Sequence, residues 1–104
     1  MVLFLMQILL PRFDNAGTPF PDDFYRDITR GLTGRFGGVT AYARAPAQGS
    51  WQSDDGETHH DDVIIVEVMV GELDEGWWKS YRRHLEEKFR QKALIVRAQP
   101  IVVL

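Results

Sequence analysis

Val63-Ile64-Ile65-Val66-Glu67-Val68-Met69-Val70, closed by Gly71, is the stretch on which the fold turns. It is apolar and rich in β-branched residues, the composition of a buried strand. Side chains alternate along a strand, so Ile64, Val66, Val68 and Val70 share one face. Val63, Ile65, Glu67 and Met69 share the other. The face without a charge is the one that can pack on helices.

The neighbouring elements follow outward from this strand. Upstream, Asp54-Asp55-Gly56 carries a hairpin signal, since a type I′ turn needs positive φ at both central residues. The partner strand runs over Val39 to Ala45, is interrupted at Pro46, and resumes at Trp51 to Ser53. A two-residue turn at Asp55-Gly56 predicts Trp51 opposite His60, Arg44 opposite Glu67 and Tyr42 opposite Met69. A bulge at Pro46 with an odd offset breaks that pairing. Residues 46–62 then form a long hairpin arm on a single domain of residues 1–104. Further upstream, Phe24, Ile28, Leu32 and Phe36 recur every four residues in a helix from Asp22 to Phe36, stopped by Gly37-Gly38. Val2 to Leu10 is a strand that Pro11 ends. Downstream, Asp74 caps a second helix, whose core stripe is Trp78, Tyr81, Leu85 and Phe89. Trp77 turns about 100° from Trp78, partly toward solvent. Ala93 to Arg97 is the last strand, and Pro100 predicts a bend or an edge position.

The order β-α-β-β-α-β with right-handed crossovers predicts an α+β chain of the ferredoxin-like kind. Two helices would cover one face of a four-stranded antiparallel sheet, with the first and third strands central. A three-stranded meander with one helix detached is the rival. Parity assigns Phe4, Met6, Ile8 and Leu10 to the helix side, with Val39, Ala41, Ala43, Leu94, Val96 and Ala98. The other face collects Leu3, Leu5, Gln7, Leu9, Thr40, Tyr42, Arg44, Ile95, Arg97 and Gln99.

Composition bounds the function. The chain has 104 residues, 44% hydrophobic and 26% charged, enough for one cored domain. It lacks cysteine, which excludes disulfides and thiolate metal sites. A formal charge of −3 argues against a nucleic-acid partner. Val2 to Leu10 has no positive flank or small-residue cleavage site and is too short to span a bilayer. The expectation is a cytoplasmic protein without a membrane partner.

Leu5, Trp51, Val63, Ile65, Met69 and Ile95 make the helix-free face half apolar, and they are interface candidates for a homodimer. Gln7, Tyr42, Arg44, Glu67 and Arg97 make its polar part and are candidates for holding a carboxylate or other small anion. An interface salt-bridge network is the competing reading of the same residues. His59-His60-Asp61-Asp62 offers at most two same-face ligands, so neither a metal site nor a cofactor is expected. Arg82-Arg83, among glutamates, reads as a solvated helix face. The glycines from Gly31 to Gly38 end a helix and do not follow a strand, so they make no phosphate loop. No serine stands in a nucleophile-elbow context, and no catalytic residue is assigned.

Gly49-Ser50-Trp51, the Asp-Gly turn, Val63–Val70, Tyr81 with Phe89, and Val96-Arg97-Ala98-Gln99-Pro100 together resemble an uncharacterised family of small bacterial proteins with a ferredoxin-like fold. The resemblance covers most of residues 36–104. It implies a fold and no reaction. The broader dimeric α/β-barrel group, with its small monooxygenases, shares this architecture. The leading expectation is therefore a domain that self-associates through its uncovered sheet face without catalysis. The alternative is a small-molecule binder or enzyme with a pocket on that face. An adaptor that reaches a partner protein through Trp51 is a third reading.

Overall fold

The computed structural model describes the backbone of residues 2–52 and 58–104, and side chains over 2–40 and 63–104. The elements are β1 (Val2–Pro11), α1 (Asp22–Phe36), β2 (Thr40–Gln52), β3 (Thr58–Val70), α2 (Glu75–Lys88) and β4 (Ile95–Val102). The chain is α+β, with two helices and an antiparallel sheet ordered β2-β3-β1-β4.

The parity of β1 and β3 sets the core. Met6 faces Val68, Ile8 faces Val66 and Leu10 faces Ile64 across the two central strands. Met6, Ile8, Leu10, Val66 and Val68 are buried under Ile28 and Leu32 of α1 and Trp78 and Leu85 of α2. Phe89 closes this core, its ring 4.9 Å from Phe20 and 5.4 Å from Phe24, both edge-on. Tyr25 ties α1 to the end of β1 by donating from its hydroxyl to the Pro11 carbonyl at 2.6 Å.

The helix ends follow local chemistry. Gly37 stops α1 at φ 86°, a left-handed conformation that favours glycine. Its N–H donates to the Thr33 carbonyl at 2.8 Å. The Asp74 carboxylate accepts from the Trp77 N–H at 3.1 Å at the start of α2. Asp74→Ala is expected to lower stability by about 1 kcal/mol, the usual cost of a lost N-cap. Urea unfolding of the variant measures this, and an unchanged midpoint would mean the cap contributes nothing.

Pro100 lies inside β4, opposite Phe4, at the edge position that the sequence reading allows it. β4 is an edge strand, so proline's missing N–H can face outward without removing a ladder bond. Pro11 likewise belongs to β1, opposite Val63. The departure from the sequence reading is the β2–β3 register. Arg44 pairs with Val63 and Thr40 with Glu67, while Trp51 pairs with His59 and Gln52 with Thr58. The register shifts between Arg44 and Gln48, around Pro46. The shift replaces the expected pairs Arg44–Glu67 and Tyr42–Met69. Trp51 opposite His59 in place of His60 is instead a one-residue offset on the turn side of Pro46, a register that a two-residue turn at Asp55-Gly56 does not produce. The Asp55-Gly56 turn lies outside the described residues.

Tyr81 packs against the tryptophans of α2, its ring stacked on Trp77 at 4.9 Å. Trp77 is half-buried, and the Arg35 guanidinium sits 4.3 Å above its ring. Burial pushes the Tyr81 phenol up to about 12. A raised folded pKa favours the neutral phenol in the native chain. That stabilisation is complete below about pH 10, where an unfolded tyrosine titrates, and is lost as pH rises toward the folded value. Urea midpoints are expected to fall over this alkaline window, and to fall less in Tyr81→Phe. Parallel declines in both proteins would exclude Tyr81 as the source.

Candidate functional site

The helix-free face carries one continuous polar row. Gln7 of β1 stands opposite Glu67 of β3 on one side and Arg97 of β4 on the other. The Gln7 amide nitrogen donates to Glu67 Oε2 at 2.6 Å. Arg97 Nε donates to Gln7 Oε1 at 2.7 Å. This arrangement uses both ends of the amide, donor toward the carboxylate and acceptor toward the guanidinium. The amide thus holds an anion and a cation two strand spacings apart, about 10 Å between backbones. Both ionic groups keep further hydrogen-bonding capacity for a ligand. Gln7 and Glu67 are half-buried, and Arg97 is exposed.

Apolar rows flank this ladder. Leu9, Ile65 and Ile95 run along one side, and Leu5 and Met69 stand on the other. Their exposure is uneven. Ile65 is 2% exposed within the single chain, whereas Met69 is 55% and Ile95 56% exposed. Leu5 and Val63 are half-buried. Alternation thus locates Ile65 on the face away from the helices, while the fold already removes it from water.

Of the five polar candidates, Gln7, Glu67 and Arg97 come together. The register carries Arg44 four residues along β3 from Glu67, about 13 Å away. It places Tyr42 opposite Ile65. The side chains of Tyr42, Arg44, Trp51 and the His59–Asp62 run fall outside the described ones. Thr40 takes the place opposite Glu67 that Arg44 was expected to hold. Thr40 extends the polar row onto a fourth strand, and sequence reasoning passed over it as a candidate. The available signal was Pro46, because an offset there shifts which β2 residue meets Glu67.

No helix among the described residues is long and apolar enough to cross a membrane. No family model matches the sequence, the uncharacterised bacterial family included. No curated protein matches it. Solved structures do. The chain is similar to a phage SAM lyase in complex with S-methyl-5'-thioadenosine, with a TM-score of 0.67 and 17% identity. That likeness covers 93% of this chain and 80% of the other. A phage SAM lyase in the apo state gives a TM-score of 0.59 and 18% identity, over 93% and 79% of the two chains. At these identities the likeness is one of fold. It nonetheless corrects the expectation of a self-associating domain without catalysis, because the matched chains are enzymes that act on a small molecule. The alternative drawn from the sequence, a small-molecule binder or enzyme, is the reading the likeness favours.

Proposed function

We propose that this chain is a small-molecule enzyme that cleaves an adenosyl sulfonium of the S-adenosylmethionine type at the Glu67–Gln7–Arg97 ladder. The scaffold in this reading is a ferredoxin-like sheet, with residues 46–62 as an arm. The fold likeness to phage SAM lyase over 93% of the chain carries the proposal. The ladder supports it chemically.

A sulfonium amino acid presents cationic centres and a carboxylate on one short chain. Glu67 suits the cationic end, and the planar Arg97 fork suits the carboxylate. Gln7 fixes both side chains, so little ordering is left for the moment of binding. In the cleavage, the bond from sulfur to the amino-acid chain breaks and its electron pair stays on sulfur. S-Methyl-5'-thioadenosine leaves as a neutral thioether. The four-carbon fragment balances charge as a protonated aminolactone, or as an unsaturated amino acid plus a released proton.

Incubating the purified chain with S-adenosylmethionine tests the proposal. Mass spectrometry should show S-methyl-5'-thioadenosine accumulating with one equivalent of the four-carbon fragment. Arg97→Met is expected to raise KM by more than it lowers kcat, because it removes a contact made in both ground and transition states. Absence of the thioether product at high protein concentration would refute cleavage.

A further inference from the structure

We infer that the cavity between α2 and β4, lined by Lys79 and Arg82, binds a compact organic carboxylate with a short apolar tail. The cavity holds about 180 Å³. Drug-sized ligands occupy sites of about 300–1,000 Å³, so the occupant here is smaller than an adenosyl compound.

Its floor is apolar, formed by Met6, Leu73, Val96 and Ala98 beside the Trp78 ring. Lys79 and Arg82, one helical turn apart on α2, supply two positive charges to its lining. Glu75 also lines it and leaves a net charge of one positive unit.

Arg82 is the informative residue. Its Nε is shielded from solvent and has no hydrogen-bond acceptor. The nearest carboxylate oxygen is Glu86 Oε2 at 3.9 Å, an ion pair too long for a hydrogen bond. That oxygen is already engaged, accepting from the Leu94 N–H at 2.9 Å. The shielded Nε lacks an acceptor, while the side chain as a whole is 38% exposed. Its terminal nitrogens can therefore meet an anion in the cavity and hold it in a charge-assisted fork. The apolar floor selects among anions. It rewards a carboxylate with an aliphatic tail and leaves a phosphate with unmatched oxygens.

This site and the ladder lie on opposite faces of the sheet. Met6, Val96 and Ala98 alternate with Gln7 and Arg97 along the same two strands. A ligand in one cannot touch the other.

The probe is isovalerate, titrated into the ¹⁵N-labelled full chain. Saturable amide shifts are expected at Trp78, Lys79, Val96 and Ala98, and none at Gln7 or Glu67. Arg82→Gln is expected to weaken binding at least tenfold while keeping a dispersed spectrum. Lys79→Gln, at an exposed position, is expected to weaken it severalfold and decides the matter if the first variant fails to fold. Inorganic phosphate should give no saturable shift. The proposal is overturned by unsaturable shifts, by shifts centred on Arg97, by equal binding of phosphate, or by unchanged affinity in the folded variants. Isovalerate carries no sulfonium or adenosyl group, so the outcome is independent of whether the ladder cleaves S-adenosylmethionine.

Discussion

Glu67→Gln should lower kcat/KM for S-methyl-5'-thioadenosine formation by about 10–100-fold, mainly through a raised KM. A carboxylate held against the cationic end of the substrate is a contact already made in the ground state. Glutamine keeps the size of the side chain. Its carbonyl oxygen can still accept from the Gln7 amide, whose donor lies 2.6 Å from Glu67 Oε2. The variant therefore removes charge and preserves the ladder. Initial rates and a thermal melt measured together separate chemistry from folding. A large loss of kcat/KM with little change in Tm is the expected pair of results. An unchanged kcat/KM would remove Glu67 from the site.

The second large effect concerns folding. Phe89 is 0% exposed and packs against Phe20, Phe24 and Tyr25, which join α1 and its preceding loop to the end of α2. Phe89→Ala is expected to cost about 3–5 kcal/mol, combining lost transfer energy with a cavity that the surrounding rings cannot close. Domains have total stabilities of about 5–15 kcal/mol, so the variant should unfold far more readily or fail to accumulate. Urea denaturation measures it. Phe89→Leu, which refills much of the volume, should recover most of the loss. A loss below about 1 kcal/mol for alanine would show that α2 ends outside the cooperative core.

The layers of the fold were legible because periodicity reports directly on burial. The four-residue recurrence of Phe24, Ile28, Leu32 and Phe36 gave α1, and Ile28 and Leu32 are its buried residues. Glu67 and Gln7 each excluded one parity, and the structure places both on the face away from the helices, bonded to each other. Arg97 was legible as a neighbour of Gln7 for the same reason. Register was harder. A turn dipeptide sets register only for an uninterrupted ladder, and the shift between Arg44 and Gln48 cancels its authority over the inner strand. Coverage was harder still. Alternation tells which way Ile65 points, and its 2% exposure depends on what the rest of the chain lays over it.

The proposed site left no local mark in the sequence. The ladder residues lie 60 and 90 positions from Gln7, on three different strands, and each is common on ordinary strand faces. Only pairing in space makes them a unit. The cavity at Arg82 is similar. Arg82-Arg83 reads as a solvated basic pair, and what distinguishes Arg82 is that Glu86 is taken by the Leu94 amide eight residues further on.

The proline inside β4 has a consequence for the chain's behaviour in a crowded cell. An edge strand is a template on which another polypeptide can add a strand and start a fibril. β4 ends in Ile101 and Val102, and Val103 and Leu104 follow, with Val102, Val103 and Leu104 exposed. That apolar run is the kind that aggregates when its backbone is free to pair. Pro100 immediately precedes it and offers no N–H to an incoming strand. Pro100 thus keeps its place in the register with β1 and can give no N–H to a strand added on the outer edge.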